Sequence, residues 1–288
     1  MDLKKLDQYA SVFRGAIKEP YQYEKIKIDK ILLVDDNPRP KAEKLLDRVQ
    51  RFLSKVTHLD QPEWLILAGD EFQTISDLLE KCKEIGPSMI VTYRHLKQPN
   101  KNLPYSIGVY LDMLTQATPF PVLVLPYFAD KKNYENTLEN TNSVTVIADH
   151  LTGDHRLVNY GVYFTEEKGD LFLTHVENKK IFEKYMNIIA KIPEIPTDIA
   201  REKIYHQLLK EPSDYIQACK QKLEELQIPL NIHSIVTMGH TLKDYKEHIS
   251  NHRVDLLIMN TKDDEQLAMQ GMAYSLVVEL KEIPLLLL

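Results

Sequence analysis

The sequence predicts an α/β protein built as two open parallel sheets in tandem, and three observations carry that reading. Short apolar runs of strand length alternate with segments of helical periodicity, and parallel neighbours need a helix-length crossover between them. The alternation lapses in a polar, uneven stretch, 127–142, and then restarts. Each half also closes alike, with a Gly, an apolar helix, a Pro and a last apolar strand. Gly108 to Pro121 and Gly271 to Pro284 both span 13 positions. At roughly 150 residues per domain, 288 residues fit two domains.

Residues 1–18 read as a short amphipathic helix, with Leu3, Leu6, Tyr9, Ala10 and Phe13 at three-to-four spacing, expected to pack on the first domain. Ile31 to Val34 then runs into Asp35, Asp36, Asn37 and Pro38, the mark of a strand buried on both faces. A helix over 41–55, a strand over 64–68, a helix over 70–85 and a strand over 89–91 follow. A helix over 105–116 and a strand over 121–126 close the half.

The second half opens with a strand over 144–148 that delivers Asp149 and His150. A helix over 157–165, a strand over 171–176 and a helix over 181–192 precede Pro193 and Pro196, which stop it. A long helix over 204–226 is expected to break at Pro212. Strands over 232–236, 255–259 and 284–288 alternate with helices over 242–251 and 268–280. The boundaries predicted are an extension over 1–25, a first domain over 26–126, a linker over 127–142 and a second domain over 143–288.

Composition narrows the function. Hydrophobic residues make up 43% and charged residues 27%, which excludes wholesale disorder. A net charge of −6 argues against a phosphate-backbone surface, so no nucleic acid is expected. Cys82 and Cys219 lie far apart in helical segments, excluding a disulfide framework and fitting a reducing compartment. No stretch reaches the roughly 18 apolar residues of a membrane span, and Met1 to Leu6 lacks the apolar core of a signal peptide. The expectation is a cytoplasmic protein with no membrane role.

The segment Val254 to Thr261, then Gly271-Met272-Ala273, then Ile283 to Leu287 resembles the C-terminal half of a universal stress protein domain. Leu171 to Val176 is similar to that family's second strand, and Gly239 to the glycine after its third. The likeness covers nearly all of 143–288. It extends more loosely to the first half through Ile31–Asp36, Met89–Val91 and Gly108–Pro126, with one strand–helix pair expected to be missing between Lys55 and Trp64. The resemblance implies two Rossmann-like domains forming an intramolecular pseudo-dimer, with a homodimer as the alternative. It also implies ATP or AMP at the carboxyl edge of the sheet, where strand order reverses. Carried over residue by residue, that site would use Asp149, Val176, Gly239, Asn260, Thr261, Gly271 and Met272 in the second half, and Asp36 and Gly108 in the first.

The phosphate cradle departs from the family. Glycines let backbone N–H groups approach phosphate oxygens. Here Asn260 and Asp263 stand where glycines would, Asp264 and Glu265 follow, and Met272 replaces a Ser or Thr. Two charges about 4 Å apart at an effective dielectric near 20 cost about 4 kcal/mol. The first half carries Tyr93, Arg94, His95 and Leu96 over the loop and Val109 after Gly108. The motif therefore reads as degenerate, and adenine-nucleotide binding with slow hydrolysis is the alternative.

Two other patterns were weighed. Ile31 to Asn37 also looks like the start of a response-regulator receiver, but Asp70 comes too early for a phosphorylated aspartate. His150, His175 and His240 fall near the ends of three strands and could converge on zinc. His248 and His252 have i, i+4 spacing, yet Ile249 sits where a metalloprotease carries Glu. No nucleophile elbow, Walker loop or Gly-x-Gly-x-x-Gly occurs. The expectation is a binding protein and not an enzyme, acting through a ligand or an unidentified protein partner. The uncharged last strands, Val122–Val124 and 285–288, are edges that cannot stay open, and the resemblance implies that they pair with each other.

Overall fold

The structure, a computed structural model, describes residues 21–56, 61–98, 105–126, 138–148, 155–261 and 271–288, with the side chains of 271 and 272 outside that set. The first half runs β1 (Lys30–Val34), α1 (Arg39–Phe52), β2 (Glu63–Leu67), α2 (Ile75–Ile85), β3 (Met89–Tyr93), α3 (Val109–Ala117) and β4 (Val122–Leu125). The second runs β5 (Ser143–Ile147), α4 (Arg156–Phe164), β6 (Asp170–Asn178), α5 (Lys179–Ile189), α6 (Thr197–Glu225), β7 (Asn231–Gly239), α7 (Thr241–His252), β8 (Leu256–Met259), α8 (Gly271–Glu279) and β9 (Leu285–Leu287).

These strands form one sheet in the order β2-β1-β3-β4-β9-β8-β5-β6-β7. Pairing is parallel everywhere except at the centre, where β4 and β9 run antiparallel with Leu123 opposite Leu286. The two apolar last strands thus cover each other's edge, as the resemblance implies. Ile31 to Val34, Val122 to Leu125, Leu256 to Met259 and Leu285 to Leu287 are all buried, because strands in the middle of a helix-covered sheet have no wet face. Strand order reverses twice, between β1 and β3 and between β5 and β8.

The register locates the missing pair. With Leu123 equivalent to Leu286, Val91 matches Ile258, Leu33 matches Val146 and Ile66 matches Leu173. So β2 is the counterpart of β6, and nothing among the described residues of the first half answers to α5, α6 and β7. The gap falls between Leu67 and Ile75, not between Lys55 and Trp64, and β2 becomes the outer edge.

Several element bounds differ from expectation. The helix expected from Asp70 starts after Thr74, whose Oγ1 accepts from the Asp77 N–H at 3.1 Å while Asp77 Oδ2 accepts from the Gln73 N–H at 2.8 Å. The helix expected from Tyr105 starts after Gly108. Helix α6 starts at Thr197 and does not break at Pro212. Pro212 lies in line with Ile216, Cys219 and Leu223 on the buried face, and packing of that face against β7 and β6 offsets the roughly 3 kcal/mol a mid-helix proline costs. The predicted helix over 1–18 lies outside the described residues. Tyr21, just after it, is buried on the second half, where its hydroxyl donates to Asn159 Oδ1 at 2.7 Å.

Candidate functional site

The first reversal point lies beyond the carboxyl ends of β1 and β3, where a doubly wound sheet opens a crevice. Strand β1 delivers Asp35, Asp36 and Asn37 there, and β3 delivers Tyr93, Arg94 and His95. The Tyr93 hydroxyl stands 2.7 Å from Asp35 Oδ1 and 2.5 Å from Asp36 Oδ1, sharing one proton between two carboxylates. It also accepts from the Asp36 N–H at 3.1 Å. Burial, then the bonds to Asp36 and Asp35, push the phenol well above its ordinary ionisation range, so it stays a donor. Asn37 closes the turn by donating its N–H and its amide to Asp35 Oδ1, at 2.8 and 2.7 Å.

The loop after β3 folds into the same crevice. His95 and Lys97 take left-handed conformations, φ 61° and 55°, which turn the chain back on itself. The Lys97 N–H donates to Asp36 Oδ2 at 2.8 Å. Its ammonium donates to the carbonyls of Gly69 and Phe72 and sits 4.4 Å from the Phe72 ring centre. Two glycines permit this closeness. A Cβ on Gly69 would stand 2.1 Å from the Asp36 carbonyl oxygen, and one on Gly108 would stand 2.7 Å from the His95 backbone. Gly108 also has φ 89°. Both oxygens of Asp36 are therefore engaged inside the chain, and Gly108 seats His95 against the start of α3. The groups lining this crevice thus bond to one another.

Arg94 turns the other way, into the seam. It is fully buried and donates to Val277 O from Nε at 3.1 Å and from Nη2 at 2.8 Å, and to Leu280 O at 2.9 Å. Those carbonyls end α8, so a residue of the first half caps a helix of the second. Burial pushes its pKa down to about 10, which leaves it charged at neutral pH.

At the second reversal point Asp149 and His150 lie outside the described residues, as do Asp263 and the side chain of Met272. Thr261 is buried, and its hydroxyl donates to Leu288 O at 2.8 Å. Asn260 is half-buried beside it, and Gly271 opens α8. Val176 is half-buried on β6 opposite Thr237. Gly239 ends β7, three strands from β8 and so about 14 Å across the sheet at ~4.8 Å per strand. A Cβ there would strike Asp244 Oδ2. Gly239 thus does not join Asn260 and Thr261.

The histidines spread apart for a related reason. Strands β6 and β7 pair over nine residues and run past their neighbours as an arm. His175 lies opposite Val236 while Asn178 lies opposite Gly239, so His240 is about 13 Å along the strand at ~3.3 Å per residue. His175 Nε2 faces Glu177 Oε2 at 3.3 Å instead. Among the described residues no group of three His, Cys, Asp or Glu side chains could hold a metal ion. No described helix is long and apolar enough to cross a membrane.

A cavity of about 540 Å³ lies on that arm, between α5 and the start of α7, lined by Lys179, Lys180, Lys184, Lys191, Asn187 and His240 among others. Sequence reasoning missed these lysines, although four in 13 residues at helical spacing was a readable signal. Ile181, Tyr185 and Ile188, beside them on α5, are each about half exposed. Tyr93 and Arg94 were visible only as departures from a glycine loop, and Lys97 gave no signal.

No family model matches the chain, and no curated protein matches it. Among solved structures it is similar to a functionally unknown protein from Pseudomonas aeruginosa PAO1, at 13% identity over 91% of this chain and 92% of that one, TM-score 0.48. A putative universal stress protein from Pseudomonas aeruginosa UCBPP-PA14 shares 12% identity over 91% and 93%, TM-score 0.46. A universal stress protein from Archaeoglobus fulgidus DSM 4304 shares 12% over 86% and 76%, TM-score 0.47.

Proposed function

We propose that the chain is a stress-related binding protein of the universal stress protein type, cytoplasmic, acting through a ligand or protein partner and not through catalysis. Its nucleotide site is degenerate. The family reading rests on the likeness of Val254–Thr261, Gly271–Ala273 and Ile283–Leu287 and on strand order. The observation that carries the degenerate site is the first crevice. Asp36, the residue that would receive the adenosine, has its carboxylate engaged by the Tyr93 hydroxyl and the Lys97 N–H. In the second half the Thr261 hydroxyl donates to a strand carbonyl, and Asn260 and Asp263 replace cradle glycines.

Adenosine tests this reading, because without phosphates it reports on the base-and-ribose crevice alone. Equilibrium dialysis of the full chain should show no saturable adenosine binding tighter than about 1 mM. Saturable binding below that concentration would overturn the degenerate site and restore the nucleotide reading.

A further inference from the structure

We propose that the cavity between α5 and the start of α7 binds a small soluble molecule carrying two or more phosphate groups. The site is separate from the crevices, and the proposal deepens the reading of the chain as a binding protein. Its origin is topological. Strands β6 and β7 are parallel neighbours, Asn178 pairs with Gly239, and each strand passes directly into a helix. Two helix N-termini, α5 and α7, therefore arrive side by side at one edge, with Asn178 Oδ1 accepting from the Lys180 and Ile181 N–H groups and Asp244 Oδ2 from the His240 N–H.

Side-chain charge adds to this. Lys179, Lys180, Lys184 and Lys191 line the cavity, and none is in an ion pair with a described residue. The carboxylate among them, Glu183, is held by Arg201 through two bonds of 2.9 and 3.0 Å. Those bonds hold the Glu183 pKa below the usual carboxylate range, with a smaller contribution from the charge of Lys179. A chain of net charge −6 thus gathers four ammonium groups around one hollow whose lining holds a single carboxylate, itself bound to Arg201. Like charges held together repel, and a multivalent anion relieves that repulsion while concentrating in the field.

The volume, about 540 Å³, falls within the roughly 300–1,000 Å³ of small-molecule sites. Lysines bind phosphate as point charges without the two-pronged geometry of arginine. The site should therefore read phosphate count more than the group the phosphates decorate. His240, on the opposite wall at the start of α7, supplies a ring nitrogen that can donate.

The test titrates inorganic tripolyphosphate into the full chain by calorimetry at low and moderate salt. Binding at one site per chain is expected, weakening as salt rises. The pair Lys184→Glu with Lys191→Glu should weaken it at least tenfold. A control pair of equal charge change on α6, Lys220→Glu with Lys222→Glu, should stay within about twofold. No binding, or equal loss in both pairs, overturns the proposal. Sedimentation with phosphatidylglycerol vesicles tests the other phosphate source. Vesicle binding without tripolyphosphate binding overturns the soluble ligand in favour of a lipid surface, with Ile181 and Tyr185 beside the lysines. Adenosine separates the two readings. Adenosine binding that survives the α5 pair refutes the degenerate crevice alone, and loss of tripolyphosphate binding with that pair supports the cavity whatever adenosine does.

Discussion

The two halves of the sheet meet at β4 and β9, and they finish their last helices in different ways. By register, Arg94 is the counterpart of Thr261, and Leu125 of Leu288. Thr261 donates to Leu288 O at 2.8 Å, and Arg94 reaches Leu125 O at 3.4 Å. The threonine stops there. The guanidinium continues across the seam to Val277 O and Leu280 O at the end of α8. The matching carbonyl on α3, that of Leu114, is closed instead by its own neighbour, Thr118 Oγ1, at 2.7 Å. One helix end is thus self-contained and the other depends on the opposite half. Backbone pseudo-symmetry does not carry over to the polar groups, and the halves are interlocked in one direction.

Arg94→Met is the sharpest way to break that comparison. It leaves two carbonyls at the end of α8 without their cationic donor, and bonds to charged groups are worth about 1.5–3 kcal/mol each. A loss of about 3–5 kcal/mol is expected in urea unfolding, read as a lower midpoint. A loss under about 1 kcal/mol would mean that the bonds across the seam contribute little. Thr118→Val on the self-contained side removes one neutral bond and should cost about 1 kcal/mol. If the two substitutions cost the same, the one-way interlock is wrong.

Much of this arrangement was legible before the structure. Apolar runs such as Ile31–Val34 and Leu285–Leu288 are strands because a central strand buries both faces. Their lack of charge marked edges that need cover, and the family resemblance supplied the β4–β9 pairing. The 13-residue spacing marked equivalent helix–strand closures. What escaped depends on contacts between distant segments. Pro212 reads as a break because its penalty is local, whereas the burial that overrides it comes from β6 and β7. The absent strand–helix pair was misplaced because sequence shows spacing and only register shows which strand is the counterpart of which. Tyr93 and His95 could be seen to spoil a phosphate loop, whereas Lys97 gave no signal. That they fill the crevice follows from the two left-handed residues, His95 and Lys97, which nothing in the sequence marks. Arg94 was visible over the same loop, but its burial in the seam was not, since a lone arginine after a strand is ordinarily exposed.

The smallest expected effect concerns the opposite edge of the sheet, where the halves differ in a titratable group. Ser88 Oγ accepts from the Lys30 N–H at 3.3 Å in the first half, and at the equivalent place Asp255 Oδ2 accepts from the Ser143 N–H at 2.9 Å. Burial, with Glu166 and Glu139 nearby, pushes Asp255 up to about 6 from its ordinary 3.8. Two residues along β5, the Thr145 hydroxyl meets His248 Nε2 at 2.9 Å. Burial and the neighbouring His252 push His248 down to about 4, in a cluster where Phe172 also stacks on His233 and His233 faces Asp170. From pH 4 to 6 the folded chain holds more proton on Asp255 than the unfolded chain, so that group makes stability fall as pH rises. From pH 4 to 6.5 the unfolded chain holds more proton on His248, so that group makes stability rise. The two slopes oppose each other in one window. Asp255→Ser, which copies the first half, should leave a rising slope, and His248→Gln a falling one. Each is at most about 1 kcal/mol per pH unit once solvent screening is counted. Urea midpoints at pH 4, 5 and 6 read both, and slopes of the same sign in the two variants would mean that these groups do not offset each other.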